Sequence, residues 1–123
     1  MWSPTWEFDN ATFERNAASF DNPDFVNIMI HSYHHRYALI KNDPTYTAIE
    51  AKLAAQPPIR VPTIAIDGDS DGVNPGTAHH ARKFENVFER RVFIDAGHNL
   101  PQERPAEWAQ AAIDVHKTAQ RSG

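Results

Sequence analysis

Two short β-branched runs, Val61-Pro62-Thr63-Ile64-Ala65-Ile66 and Arg91-Val92-Phe93-Ile94, supply the strand candidates of this 123-residue chain. Pro62 is tolerable at the entry of a strand, where no ladder hydrogen bond is required of it. Two strands expose edges on both sides and bury too little surface to stand alone. The expectation is therefore a part of a larger sheet, completed by material that this sequence does not contain.

The residues before the strands have helical signals. Asp9 or Asn10 can cap a short helix running through Phe13 to Phe20. Asn22-Pro23 places an N-cap before a proline at the first helical position. Val26, Ile30, Tyr33, Tyr37 and Ile40 then recur at three- and four-residue spacing, the pattern of one buried helical face. Asp43-Pro44 repeats the start signal, Tyr46, Ile49 and Leu53 form the next stripe, and Gln56-Pro57-Pro58 ends it. After the first strand, Asp67 to Gly76 is turn chemistry and Thr77 to Phe84 is compatible with a helix. Arg104-Pro105 opens a last helix with Trp108, Ala112, Val115 and Ala119 on one face. Helices first, then strand–helix–strand–helix, predict an α/β chain with a helical segment over 1–58 and an α/β segment over 59–123.

Composition narrows the function classes. The 41% of hydrophobic residues suffices for a core, and a net charge of −4 with scattered Lys and Arg leaves no nucleic-acid footprint. With no cysteine, disulfides and thiolate sites are excluded, and a reducing compartment fits. Met1-Trp2-Ser3-Pro4-Thr5-Trp6 lacks the basic and apolar regions of a secretory signal, and no apolar run approaches the ~20 residues of a spanning helix. The expected location is the cytoplasm, with no membrane partner. Two tryptophans at the start need something to pack against.

The chemistry lies just after the strands. Gly68-Asp69-Ser70-Asp71-Gly72 and Asp95-Ala96-Gly97-His98-Asn99 each leave a strand end, the place where open α/β sheets bind ligands. Taken singly, Asp71 in Asp-Gly reads as a turn residue and His98 as a satisfied histidine. Together, an acid and a histidine on neighbouring strand ends have the arrangement in which a carboxylate holds an imidazole's tautomer and stabilises its cation. A convincing nucleophile is missing. Ser70 matches G-x-S-x-G literally, but Gly72-Val73-Asn74-Pro75-Gly76 delays the helix that a nucleophile elbow enters directly. Carboxylates flank Ser70 on both sides, and only 28 positions separate it from His98.

Other clusters read as structural. Asp67-Gly68-Asp69-Ser70-Asp71-Gly72 resembles the start of a calcium loop, but the twelfth position is Ala78 instead of glutamate. His31, His34 and His35 read as a polar helix face, and adjacent His79 and His80 point in different directions. Neither a metal nor a cofactor is expected.

The segment Val61 to Pro75 resembles the proline–threonine–strand, G-x-x-D-x-x-x-P segment of the α/β-hydrolase superfamily, and Val92 to Pro105 resembles its G-H-x-x-x-x-x-x-P segment. The helical first half is similar to the cap of epoxide-hydrolase and haloalkane-dehalogenase-like members, on Phe8-Asp9-Asn10-Ala11-Thr12-Phe13 and Ser19-Phe20-Asp21-Asn22-Pro23-Asp24-Phe25. The resemblance implies the C-terminal part of an α/β-hydrolase fold, with Asp71 as triad acid and His98 as triad histidine. It implies a small-molecule substrate, with Tyr33, Tyr37 and Tyr46 as candidates for lining its cleft. The family's nucleophile elbow and oxyanion hole lie upstream of the cap and are not among these residues. A fragment inactive by itself, or completed by another polypeptide or by self-association, is the expectation. The alternatives are a serine hydrolase using Ser70, a cation-binding module on the Asp67–Asp71 cluster, and a non-catalytic interaction protein.

Overall fold

The computed structural model describes residues 1–122. Residues Glu7–Gln56 form one compact unit, and Met1–Trp6 together with the chain from Pro57 onward form a second. The first six residues group with the strands and not with the helices.

In the helical unit, α1 spans Asn10–Ala17, α2 spans Phe25–Arg36 and α3 spans Thr47–Ala54. Asp9 caps α1 by accepting the Thr12 amide at 2.8 Å. The Asn22-Pro23 signal acts two residues early. Asn22 accepts the Asp24 amide in a turn of its own, and α2 starts at Phe25 without a side-chain cap. Asp43 accepts the Thr45 amide and starts a 3₁₀ turn, Pro44–Tyr46, that runs into α3. Glu50 of α3 meets His35 of α2, with His35 Nε2 3.3 Å from Glu50 Oε1.

The two apolar stripes are not buried as their spacing predicts. Val26, Ile30, Tyr33 and Tyr37 are exposed, and so are Tyr46, Ile49 and Leu53. Helical period identifies a face that can be covered; three short helices within this unit do not cover it.

In the second unit, β1 (Thr63–Gly68) and β2 (Phe88–Phe93) pair in parallel, with Thr63 opposite Phe88 and Gly68 opposite Phe93. The crossover holds a 3₁₀ segment, Ala78–Lys83, where a helix over Thr77–Phe84 was expected. Helix α4 (Leu100–Glu103) is a single turn, and α5 (Pro105–Ser122) is the long closing helix. The buried residue of α5 is Ala111, flanked by half-buried Asp114, Val115 and Thr118. Of the predicted face, Trp108, Ala112 and Val115 line an open apolar groove with Ile64 and Ile66 of β1.

The buried apolar residues are Ala96, Leu100 and Ala111, and no large side chain is fully buried among the described residues. The composition thus permits a core larger than the one that forms. A single pair of strands with one long helix leaves most of each sheet face open. Among the described residues, no helix is long and apolar enough to cross a membrane.

Candidate active site

The ends of β1 and β2 are pressed together by a glycine. A side chain at Gly68 would collide with the carbonyl oxygens of Ala96 and Gly97. This close approach lets backbone bonds cross between the two loops, from Asp69 N to Phe93 O at 3.1 Å and from Ser70 N to Ala96 O at 3.0 Å. Asp69 Oδ1 accepts the Ala96 amide in return, at 3.4 Å.

Asp71 and His98 meet on this platform. His98 Nδ1 lies 2.9 Å from Asp71 Oδ2. The other carboxylate oxygen, Oδ1, accepts the amides of Val73 at 2.8 Å and Asn74 at 3.0 Å. The Asp-Gly turn reading of Asp71 and its role as partner of His98 are therefore both realised, one by each oxygen. Burial pushes the Asp71 carboxyl up, but the His98 contact and the two amides outweigh it and hold the group below the ordinary carboxylate range. An ionised carboxylate only accepts, so the hydrogen of this contact belongs to Nδ1, and in the uncharged form of the imidazole Nε2 is then the unprotonated nitrogen. That nitrogen has no partner among the described residues.

Glu103 is a site residue that the sequence reading missed. It is buried, and its oxygens accept the Gly97 amide at 2.7 Å and the Asn99 amide at 2.8 Å, on either side of His98. An acid in the first turn after Asn99, reaching back to an amide near the cap, is the signal that could have found it.

The remaining candidates are placed elsewhere. Ser70 Oγ donates to Asp69 Oδ1 at 3.1 Å. The acidic cluster does not converge. Asp67 is turned to Thr77 and Arg90, Asp69 to Ser70 and Ala96, and Asp71 to His98. No group of three or more metal-ligating side chains is assembled among the described residues. In the helical unit, Tyr33 and Tyr37 stack with ring centroids 6.2 Å apart, and both are exposed. Tyr46 lines a polar cleft of about 460 Å³ with His31, His35, Lys41 and Glu50.

No protein-family model matches the chain, and no curated protein matches it either. A solved structure does: a protein from Klebsiella pneumoniae subsp. pneumoniae described as a "putative epoxide hydrolase", 42% identical with a TM-score of 0.88. The match covers 94% of this chain and 39% of the Klebsiella chain. The chain is related to this epoxide-hydrolase-like protein, and spans well under half of its length.

Proposed function

We propose that this chain supplies the acid and the histidine of an α/β-hydrolase active site, as the C-terminal part of that fold. His98 Nε2 acts as general base toward a nucleophile or a hydrolytic water, and Asp71 fixes the imidazole's tautomer and stabilises its cation. The nucleophile comes from outside these 123 residues. The helical unit corresponds to the cap, and Tyr33, Tyr37 and Tyr46 are its candidate substrate-lining residues. A small electrophilic substrate of the epoxide class is the reading that the Klebsiella likeness favours. The single observation that carries the proposal is the 2.9 Å contact of His98 Nδ1 with a carboxylate whose second oxygen is tied down by two backbone amides.

A chimera tests it. This chain replaces the matching 39% of the Klebsiella protein, and hydrolysis of styrene oxide and of p-nitrophenyl acetate is followed. The expected result is turnover that His98→Ala lowers by about 10²–10⁴-fold. Turnover indifferent to His98→Ala sinks the proposal. Hydrolysis by the chain alone, abolished by Ser70→Ala, replaces it with the Ser70 enzyme.

A further inference from the structure

The opening Trp2-Ser3-Pro4-Thr5-Trp6, unexplained by composition, belongs to the same compact unit as His98 and lies directly against it. The His98 amide donates to the Trp2 carbonyl at 2.9 Å and to Ser3 Oγ at 3.1 Å. The same hydroxyl takes the Asn99 amide at 3.3 Å and the Asn99 side-chain Nδ2 at 3.1 Å. A Cβ at Gly97 would run into Ser3 and the Trp2 carbonyl, so glycine is what allows the approach.

The aromatic contact concerns the imidazole itself. The Trp2 ring meets the His98 ring edge-on, with centroids 5.0 Å apart and planes at 81°. Further along, Thr5 Oγ1 donates to the Asp95 carbonyl at 3.1 Å, and Arg104 Nη2 reaches the same oxygen at 2.9 Å. Asp95 has a φ of +51°, so the turn that aims the chain toward His98 is a left-handed one held from two sides.

From these contacts we infer that Trp2 and Ser3 are positioning residues for His98. Ser3 and the Trp2 carbonyl fix the backbone of residues 98–99, and the indole blocks rotation of the ring away from Asp71. Glu103 holds the neighbouring amides of Gly97 and Asn99. The charged groups facing this loop are Asp71, Asp69, Glu103 and Arg104. A single tautomer with Nδ1 on Asp71 is the result, and it exists before any substrate or nucleophile arrives. The inference rests on the Asp71–His98 pair of the proposed function and adds the segment that keeps the pair assembled.

The test reads the imidazole nitrogens of His98 by ¹⁵N NMR across pH in the whole chain. The parent is expected to show one dominant neutral tautomer, protonated at Nδ1. Trp2→Ala and Ser3→Ala are each expected to give a mixture of the two tautomers, while the His116 signals on α5 stay unmoved. Trp2→Phe, which keeps a ring edge, is expected to restore the parent pattern. Variants that retain the parent tautomer with only a lowered melting temperature overturn the inference and leave a structural role. Asp71→Asn separates the two readings. If it leaves the His98 tautomer untouched, the pair itself fails; if it alone disturbs the tautomer, only the role of Trp2 and Ser3 fails.

Discussion

Arg90 Nε stands 2.6 Å from Asp67 Oδ2, joining β2 to β1 through a carboxylate that is 5% exposed. Thr77 completes the site, donating its amide at 3.0 Å and its hydroxyl at 3.1 Å to Asp67. Burial raises the Asp67 carboxyl, but the Thr77 amide, the guanidinium and the Thr77 hydroxyl outweigh it and leave the group below its ordinary value. The unfolded chain therefore binds this proton at higher pH than the folded one does. The stabilisation is complete above the ordinary carboxylate value and is lost as pH falls through the folded one. Urea unfolding at a series of acidic pH values should show this loss, and Asp67→Asn should flatten it. Asp67→Ala leaves Arg90 and the Thr77 amide unpaired and should cost about 3 kcal/mol at neutral pH.

Asp71→Asn should act on chemistry more than on stability. The amide side chain still accepts from Val73 and Asn74 through its oxygen, so the turn persists. It cannot hold a charged imidazole, and its NH₂ favours the wrong tautomer. In the Klebsiella chimera, turnover should fall by roughly 10⁴-fold, with a melting temperature close to the parent's. A fall in melting temperature with unchanged turnover contradicts the assignment.

Ser70→Ala should be silent. Its hydroxyl donates to Asp69 next door, and its amide, which alanine keeps, makes the bond to Ala96. Stability should stay within about 0.5 kcal/mol of the parent, and hydrolysis by the chimera should be unaltered. Loss of turnover would return Ser70 to the role of nucleophile.

Gly68→Ala should disturb both loops at once. The new methyl meets the backbone oxygens of Ala96 and Gly97, which cannot swing aside as a flexible side chain would. A cost of about 1–3 kcal/mol is expected, read by thermal unfolding, together with displaced amide signals at Ala96 through His98. Unchanged signals there would mean that the strand ends are less tightly joined than the geometry requires.

The strands, the Asp9 cap, and Asp71 and His98 taken singly were legible from local chemistry; the contact of the last two, 27 positions apart, depends on their strands being neighbours. A β-branched run, a capping carboxylate and a glycine-flanked acid or histidine all announce themselves within a few residues. Burial was not legible in the same way. The period of Val26, Ile30 and Tyr33 marks which residues share a face, but whether anything covers that face is decided elsewhere. The contact of Ser3 with His98 spans 95 positions and leaves no trace in spacing. Gly97 carries half of that information, since glycine before His98 reports close quarters without naming the neighbour. The 3₁₀ segment at Ala78–Lys83 was missed for a different reason: a six-residue segment with adjacent His79 and His80 has too few turns for periodicity to distinguish helix types.

The groove between β1 and α5 has a consequence for how these 123 residues behave when made by themselves. Along β1, the residues that alternate with those bonded to β2 offer their peptide groups to water, beside Ile64, Ile66 and Trp108. A ribbon with unpaired edges and a greasy flank is what aggregates grow from. Expressed without further residues, these 123 positions will accordingly yield folded material less by their intrinsic strength than by how soon an open edge meets a lasting neighbour.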